Sequence, residues 1–311
     1  MVFIALLPIS SGDSMQYVVS IPLDPNLAAF IGKKGSENSI TFYNRRLDGG
    51  ALVGIAPTPP IEERLYALAE TMLVGNQIVV STAVLDKLFG EVVVACSLVE
   101  KPVIFTDDSD ISQFLKGVSL KGHSIVSRDE LLEKLLSHKP ADQNSQPRVD
   151  IDKSFPVKGV GTIALGIVTR GTVQEHQELF HSSGKKVLVR SIQVQDQDVK
   201  SAGTWSRVGL ALKNIEHDEI EKGDLLTPDQ VVRSQQVRCK VRTTPLSKER
   251  IEVGKRYDFV SNFTFAKSQV TSVEKDSIVL KLERNASLMK GDRLFLISDE
   301  SPRIFASGEV L

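Results

Sequence analysis

Residues 28–43 contain side chains that could bind a phosphate group, in the sequence AAFIGKKGSENSITFY. A phosphate-binding loop has the form G-x-x-x-x-G-K-[ST], in which backbone N–H groups and one lysine surround the phosphates. Counted from Gly32, Glu37 stands at the second glycine, Asn38 stands at the lysine, and only Ser39 fits the pattern. The spacing therefore predicts a degenerate phosphate loop. Its residues are Gly32, Lys33, Lys34, Glu37, Asn38 and Ser39.

Two other interpretations of this stretch stay open. The apolar run from Ala28 to Ile31 predicts a strand, and the alternative to a degenerate loop is a plain strand, turn and helix that never bound a nucleotide. In the second alternative, Lys33, Lys34 and Ser39 hold a weakly bound ligand.

No other cluster of side chains predicts catalysis. The sequence has no Ser/His/Asp, Cys/His or paired-carboxylate arrangement with catalytic spacing, so no catalytic residue is predicted. His176 and His181 lie in a predicted turn, and we expect both to be exposed. Cys96 and Cys239 predict buried, reduced thiols of an intracellular protein. No Cys/His cluster has metal-ligand spacing, so no metal site is predicted.

Two groups of cations could contact the phosphates of a nucleic acid. In residues 237–242, VRCKVR, cations alternate with apolar residues, so one face of a strand would present three positive charges. A second group lies in residues 185–191, KKVLVRS. The functional interpretation is a salt-sensitive contact with an RNA backbone, and the alternative is a solvated outer face of a barrel. The six candidates are Lys185, Lys186, Arg190, Arg238, Lys240 and Arg242.

The composition is that of a globular protein with two or three domains, because 311 residues are 41% hydrophobic and 25% charged. Residues 1–150 contain 13 Lys+Arg and 18 Asp+Glu, a net charge of −5. Residues 151–311 contain 25 Lys+Arg and 21 Asp+Glu, a net charge of +4, so the whole chain has a net charge of −1. A mildly basic second half permits an anionic partner without requiring one. The apolar N-terminal segment, MVFIALLPIS, lacks the basic residues that begin a signal peptide and is too short to span a bilayer, which predicts a cytoplasmic protein. The native start could be Met1 or Met15.

The order of elements predicts an α/β domain followed by two all-β modules. Strands are predicted in LAAFI, ALVGIA, NQIVVSTAV, EVVVACSLV and KPVIFT. Helices are predicted in PPIEERLYALAETMLVG and SRDELLEKLLSH, the second with a capping box of Ser127 and Glu130. A polar linker then leads to short alternating strands typical of barrels. The predicted units are an α/β domain at 1–138, a linker at 139–153, a barrel at 154–234 and a second barrel at 235–311.

Three segments of the first barrel carry a family resemblance. They are FPVKGVGTIALGIVTRGTV (155–173), KKVLVRSIQVQDQDV (185–199) and RVGLALKNIEHDEIEKGDLL (207–226). These segments resemble domain 2 of the translational GTPases, especially elongation factor Tu and the selenocysteine-specific elongation factors. The second barrel resembles the family's third domain more loosely, through LERNASLMKGDRLFLIS and PRIFASGEVL. The resemblance implies a GTPase-like parallel-sheet α/β head in front of two β-barrels.

Set against the pattern of that family, this chain lacks the sequence motifs that bind GTP and Mg²⁺. The family's D-x-x-G aspartate, which serves Mg²⁺, falls at Gly54. The guanine-reading N-K-x-D is replaced by TDDSD at residues 106–110, where Asp110 could correspond to the family's aspartate. Together with Glu37 and Asn38 in the phosphate loop, these departures predict that neither GTP nor Mg²⁺ binds and that no GTP is hydrolysed.

These observations predict a non-hydrolysing protein, similar to an elongation factor, that binds tRNA, another structured RNA or the ribosome through its barrels. One alternative is a protein–protein adaptor that binds a translation factor, and another is a divergent GTPase of the selenocysteine type. The salt dependence of binding distinguishes the RNA-binding hypothesis from the adaptor hypothesis, because RNA binding weakens steeply as salt is added and binding through an apolar protein interface does not. No DNA or membrane partner is predicted, and we expect a monomer.

Overall fold

The computed structural model describes residues 15–107, 109–138 and 145–311. It contains an α/β domain, here called the head, followed by two closed β-barrels, called barrel 2 and barrel 3. The predicted fold class is therefore confirmed. The residues before Met15, on which the question of the native start depends, lie outside the described part of the chain. None of the α-helices in that described part combines the length and apolar character that a membrane span requires.

The head is built on a seven-stranded sheet. Its elements are β1 (Met15–Ser20), α1 (Pro25–Ile31), β2 (Lys33–Glu37), β3 (Ile40–Leu47), β4 (Gly50–Pro57), α2 (Leu65–Val74), β5 (Gln77–Ser81), α3 (Lys87–Val99), β6 (Val103–Thr106), β7 (His123–Val126) and α4 (Leu131–Ser137). The strand order is β2-β3-β4-β1-β5-β6-β7. Strands β4, β1, β5, β6 and β7 run parallel, whereas β2 and β3 form an antiparallel hairpin at one side.

Two segments that were predicted as strands form helices. Ala28 to Ile31 belong to α1, in which Leu27, Ala28 and Ile31 are buried at helical spacing. The run EVVVACSLV belongs to α3, which packs between the head sheet and barrel 3 and is therefore buried on most of its faces. A helix buried in this way has no polar face, so its apolar run cannot be told from a buried strand by periodicity.

The other strands and helices predicted for the head are confirmed, with shifted ends. The segments around β4, β5 and β6 are strands, and α2 and α4 are helices. Helix α2 begins at Leu65, beyond the prolines that were expected to open it. The backbone N–H and hydroxyl of Ser127 donate to Glu130 Oε2, at 3.1 and 2.8 Å, but the predicted capping box is not formed, because α4 begins at Leu131 with Glu130 at its N-cap position and without a side-chain cap hydrogen bond.

Barrel 2 is a ring of six strands. Its elements are β8 (Arg148–Val157), β9 (Gly161–Arg170), β10 (Val173–Gln174), β11 (Glu178–His181), β12 (Lys186–Val194), β13 (Gln197–Val199), β14 (Ser201–Ala202), β15 (Arg207–Lys213), a 3₁₀ turn (His217–Glu219) and β16 (Leu225–Thr227). The ring order is β11-β16-β8-β9-β15-β12, closed by the pairing of β11 with β12. Strand β8 begins at Arg148, so residues 148–153, predicted as linker, are part of the barrel; residues 139–144 lie outside the described chain.

Barrel 3 is a second closed ring of six strands. They are β17 (Ser234–Thr243), β18 (Arg256–Ser261), β19 (Thr264–Val273), β20 (Ile278–Ala286), β21 (Arg293–Ile297) and β22 (Ile304–Val310). Their order around the barrel is β17-β20-β19-β18-β21-β22. Alternate residues of β17 point inward, which places Val237 and Cys239 in the barrel core and the neighbouring cations outside.

Candidate functional site

The C-terminal ends of the parallel strands β1, β4, β5, β6 and β7 meet at one edge of the head sheet. In open parallel sheets, ligands bind in the crevice outside these ends. The turn from β1 into α1 is therefore the position in this fold where a phosphate loop would lie.

That turn is short and carries a negative charge. Only residues 21–24 separate the end of β1 from the start of α1 at Pro25, and they include no glycine and no lysine. The carboxylate of Asp24 caps the helix and accepts a hydrogen bond from the N–H of Asn26 at 2.8 Å. Pro25 has no N–H to donate. A phosphate would meet a carboxylate here instead of free donors.

A network of ion pairs occupies the rest of this edge. Arg128, after β7, lies 3.6 Å from Asp24 Oδ2 and 3.2 Å from Asp107 Oδ1. Asp107 follows β6 and also accepts a hydrogen bond from the Ser81 hydroxyl at 2.8 Å. The side chains at the ends of β5, β6 and β7 are thus bound to one another. In the described residues, no three His, Cys, Asp or Glu side chains are grouped so that they could hold a metal ion.

The stretch predicted as a phosphate loop lies elsewhere, and that placement is wrong. Its six residues are Gly32, Lys33, Lys34, Glu37, Asn38 and Ser39. They follow helix α1 and form strand β2 and its turn into β3, at the far side of the sheet from β5 and β6. The apolar run before Gly32 resembled a strand that leads into a loop, but it is the last turn of α1.

Residues of this turn contact barrel 2. Asn38 donates to the carbonyl of Asp152 at 3.3 Å, and Ser39 donates to Glu70 Oε2 at 2.9 Å. Glu70 also forms an ion pair with Lys222 of barrel 2. Burial raises the pKa of Glu70, and Lys222 and Ser39 oppose this shift. Lys34 pairs instead with Glu37 at 2.6 Å, so Lys34 and Ser39 both already have carboxylate partners within the protein.

Of the other two signature positions, Gly54 differs from the prediction and Asp110 has the expected place in the chain. Gly54 lies inside β4 rather than at its end, and a Cβ there would approach Ile21 and Ile31 to 3.2 Å. Its match to a magnesium-binding aspartate is therefore wrong. Asp110 follows β6 as expected, and its carboxylate accepts a hydrogen bond from the N–H of Ser112 at 2.9 Å, which lowers its pKa.

The predicted cationic face of β17 exists, but its members differ in their partners. Arg238 and Arg242 form ion pairs with Glu274 and Glu100, at 2.8 and 2.7 Å. Arg242 also donates to the carbonyls of Ser97 and Leu98, so it joins barrel 3 to the head. This contact argues against its assignment as an RNA contact.

Lys240 is exposed on the same face of β17, and the register adds a cation that sequence reasoning missed. Lys281 of β20 lies directly opposite Gln236 of the neighbouring strand β17. Gln236 precedes Arg238 by two residues, so Lys281 and Arg238 are on the same face of the sheet. No alternation within one segment could reveal this, because the two strands lie about 40 residues apart in the chain.

The second predicted group lies at the start of β12 and in the turn before it. Lys185 forms an ion pair with Glu219, and Lys186 forms one with Glu178 at 2.5 Å. Arg190 donates to the carbonyl of Val160 at 3.0 Å. All three cations are exposed, and their partners lie in the same barrel.

A groove that the sequence did not reveal runs along the meeting point of all three domains. This junction groove, of about 610 Å³, has a lining that includes Tyr66 and Glu70 of the head, Lys222 of barrel 2, and Phe265, Lys267, Glu283 and Arg284 of barrel 3. The rings of Tyr66 and Phe265 stack with centroids 4.5 Å apart. A second cavity of about 300 Å³ shares Lys222 and Arg284 and extends the groove to Arg233, between the barrels.

The two histidines have different environments. His176 is exposed as predicted, whereas the prediction for His181 is wrong because this side chain is fully buried. His181 Nε2 lies 3.0 Å from Asp224 Oδ2, and Arg233 donates to the same carboxylate. Burial acts to raise the pKa of Asp224, but the hydrogen bonds from His181, the Glu221 N–H and Arg233 outweigh it and lower the pKa.

Comparison with known proteins gives these features a context. Residues 161–227, most of barrel 2, match the family model of elongation factor Tu domain 2. The translation elongation factor SelB of Methanococcus maripaludis, solved with the GTP analogue GppNHp, has a TM-score of 0.77 at 16% identity, covering 96% of this chain and 79% of that one. The chain has the fold of the translational GTPase superfamily.

Further matches extend this relation to the translational GTPases. A bacterial selenocysteine-specific elongation factor, EF-Sec, has a TM-score of 0.73 at 20% identity, covering 95% of this chain and 58% of that one. An uncharacterised protein of Methanocaldococcus jannaschii is 28% identical over 291 residues, 90% of this chain and 94% of that protein. The selenocysteine-specific elongation factor of the same organism is 27% identical over 197 residues, 55% of this chain and 42% of that protein. The resemblance read from three segments of barrel 2 is thus confirmed.

Proposed function

We propose that this chain acts beside the translation machinery of the cytoplasm as a translational GTPase relative that neither binds nor hydrolyses GTP. In this proposal it binds structured RNA, tRNA or ribosomal RNA, in the junction groove and on the outer face of barrel 3. The observation that carries the proposal is the contrast between two parts of the molecule. The nucleotide edge of the head is filled by its own ion pairs, whereas the groove between the domains is open.

The proposed loss of nucleotide binding rests on the turn after β1. A bound triphosphate needs several backbone donors and a lysine around its phosphates. Here the four-residue turn cannot surround a phosphate, and Asp24 already accepts a donor at the helix start. The negative charge of Asp24 and the missing N–H of Pro25 both oppose an anion.

The chemistry of the junction groove suits an RNA strand. Arg284 is exposed, and none of the ion pairs among the described residues includes it. It could therefore contact a phosphate without breaking an existing pair. The stacked pair of Tyr66 and Phe265 offers an aromatic surface on which an unpaired base can stack. Lys240 and Lys281 extend the cationic surface along the outside of barrel 3.

The first test is nucleotide binding, measured by titrating fluorescent GTP and GDP into the purified protein with Mg²⁺. The proposal expects no saturable binding up to millimolar nucleotide. Binding in the micromolar range would contradict the proposed loss of the nucleotide site and would support a divergent GTPase of the selenocysteine type instead.

The second test is RNA binding, measured by titrating total tRNA and purified ribosomes at 50 and 200 mM salt. Affinity should fall steeply between the two salt concentrations, with a log–log slope of about −0.9 for each phosphate contact on a duplex. The variants Arg284→Gln and Lys281→Gln should each reduce that slope by about 1. Lys121→Gln, an exposed lysine of the head, is the matched control.

The outcome of the second test separates RNA binding from the adaptor role. Absence of binding to both RNA probes at 50 mM salt would refute RNA as the partner. Binding that does not change with salt, or that is equally weakened by Lys121→Gln, would refute the proposed surface.

A further inference from the structure

Each of the three boundaries between domains contains an ion pair with a buried carboxylate. Between the head and barrel 3, Glu91 of α3 is 2% exposed and accepts hydrogen bonds from the Ser301 hydroxyl at 3.0 Å and the Arg303 N–H at 2.7 Å. The Arg303 guanidinium lies 3.5 Å from the same carboxylate. The carboxylate is therefore held by groups of the other domain.

Apolar packing adds to this boundary. Helix α2 is buried at nine of its ten residues, and it shares one core with barrel 3. The barrel residues in that core are Val260, Phe295, Ile297 and Ile304. The hydroxyl of Ser307 also donates to the carbonyl of Leu98 at 2.8 Å, in a buried position.

The boundary between the head and barrel 2 is built in the same way. The buried carboxylate of Glu70 pairs with Lys222, and Ser39 bonds to Glu70. The guanidinium of Arg207 lies 3.9 Å from the ring centroid of Phe42 and pairs with Asp152 of its own barrel. An arginine fixed by its own carboxylate thus stacks on a head residue.

The third boundary joins the two barrels. Arg148 of barrel 2 pairs with Asp292 of barrel 3, and both side chains are at most 3% exposed. Asn262 of barrel 3 donates to Asp150 of barrel 2 at 3.1 Å. The three domains are thus connected in a closed triangle of ion pairs whose carboxylates are buried.

We infer that the head and the two barrels form one rigid unit, whose arrangement is fixed by this triangle and does not change with nucleotide. Opening a boundary would separate these ion pairs and expose apolar side chains that the head shares with the barrels, including Ile167 of barrel 2 and Phe263 of barrel 3, which is unfavourable. Domains within a chain move relative to one another unless their interface is large and apolar, and the shared core of α2 and barrel 3 meets that condition. This inference is independent of RNA binding.

The test is a distance measurement by pulsed electron paramagnetic resonance between the head and barrel 3. Spin labels are attached at Asp48→Cys and Lys275→Cys, both exposed positions. The native thiols do not interfere, because Cys96 and Cys239 are buried, and burial raises the pKa of Cys239 to about 12. We expect one narrow distance distribution, the same without nucleotide and with GTP or GDP and Mg²⁺.

The variant Glu91→Ala should broaden that distribution to at least twice its width, whereas Glu133→Ala, at an exposed position of α4, should not. Lys222→Met, at the other head boundary, is the second variant if Glu91→Ala does not fold. Two distances in the unmodified protein, or a shift on adding nucleotide, would overturn the inference. If GTP binds and the distance stays fixed, the proposed function fails while the inference stands.

Discussion

Arg148 offers the sharpest test of the ionic contacts between the barrels. Its guanidinium donates to Asp150 at 3.0 and 2.8 Å and to Asp292 at 3.1 Å, and all three side chains are at most 3% exposed. Burial acts to lower the pKa of Arg148, but the two carboxylates outweigh it and raise the pKa above its ordinary value. The cation is therefore held firmly in its charged form.

In Arg148→Met, Asp150 and Asp292 would remain buried together, and the nearest remaining cation would be Arg170, 3.9 Å from Asp292. Removing one partner of a buried pair costs about 3–5 kcal/mol, and the second carboxylate favours the upper end of that range. The matched control is Arg238→Met, whose pair with Glu274 is 52% and 44% exposed. An exposed pair contributes less than about 1 kcal/mol.

The assay is urea unfolding followed by circular dichroism and by the fluorescence of Trp205, the only tryptophan, which lies in barrel 2. With an m value of about 4 kcal/mol/M for a chain of this size, Arg148→Met should lower the midpoint by about 1 M urea. If the two variants, Arg148→Met and Arg238→Met, differ by less than about 1 kcal/mol in their free energy of unfolding, burial does not decide how much these ion pairs stabilise the protein.

Two further predictions concern the surroundings of barrel 2. The pKa of Asp224 in the folded protein lies below its ordinary value of 3.8. Ionised Asp224 therefore stabilises the fold above that pH, and this contribution is lost as the pH falls through the folded-state pKa. In urea titrations, the difference in unfolding free energy between the native protein and Asp224→Asn should shrink below about pH 4. Gly223 has φ 93°, and a Cβ there would lie 2.4 Å from Thr264 Oγ1, whereas Gly254 has φ 92° and open space around it. Gly223→Ala should therefore lower the free energy of unfolding by about 2 kcal/mol more than Gly254→Ala. Equal losses of stability in calorimetry would contradict the steric clash.

Barrel 2 was predictable because its signals are local. Gly159 and Gly161 lie just before and at the start of β9 and take positive φ, at 80° and 101°, a conformation that glycine adopts readily. The alternation of apolar and polar residues within each strand predicts which side chains face the barrel interior. These signals need no knowledge of distant residues, and they also carried the family resemblance.

The head was harder to predict because a short apolar run fits either a strand or a helix. The run at Ala28 to Ile31 was placed before a phosphate loop, whereas β1 and the turn at Asp24 hold that position in the fold. No single segment reveals this, because the edge at which Asp24 meets Arg128 exists only after β7 has joined the sheet.

The candidate site was only partly predictable for the same reason. The cations of β17 were correctly placed on one outer face, since alternation along a strand decides the face. Their partners were not predictable, because Arg242 meets Glu100 from another domain. The junction groove takes residues from all three domains and has no signature in any of them.

By itself, the sequence determined the class of each domain, the strands of barrel 2, the family resemblance and the absence of a standard phosphate loop, because each depends on residue types at short, regular spacing. Only the tertiary structure decided which turn occupies the nucleotide edge, which cations are free and which bind carboxylates, and how three domains meet at one groove. Those properties depend on residues far apart in the chain, which come together when the sheet and the barrels close.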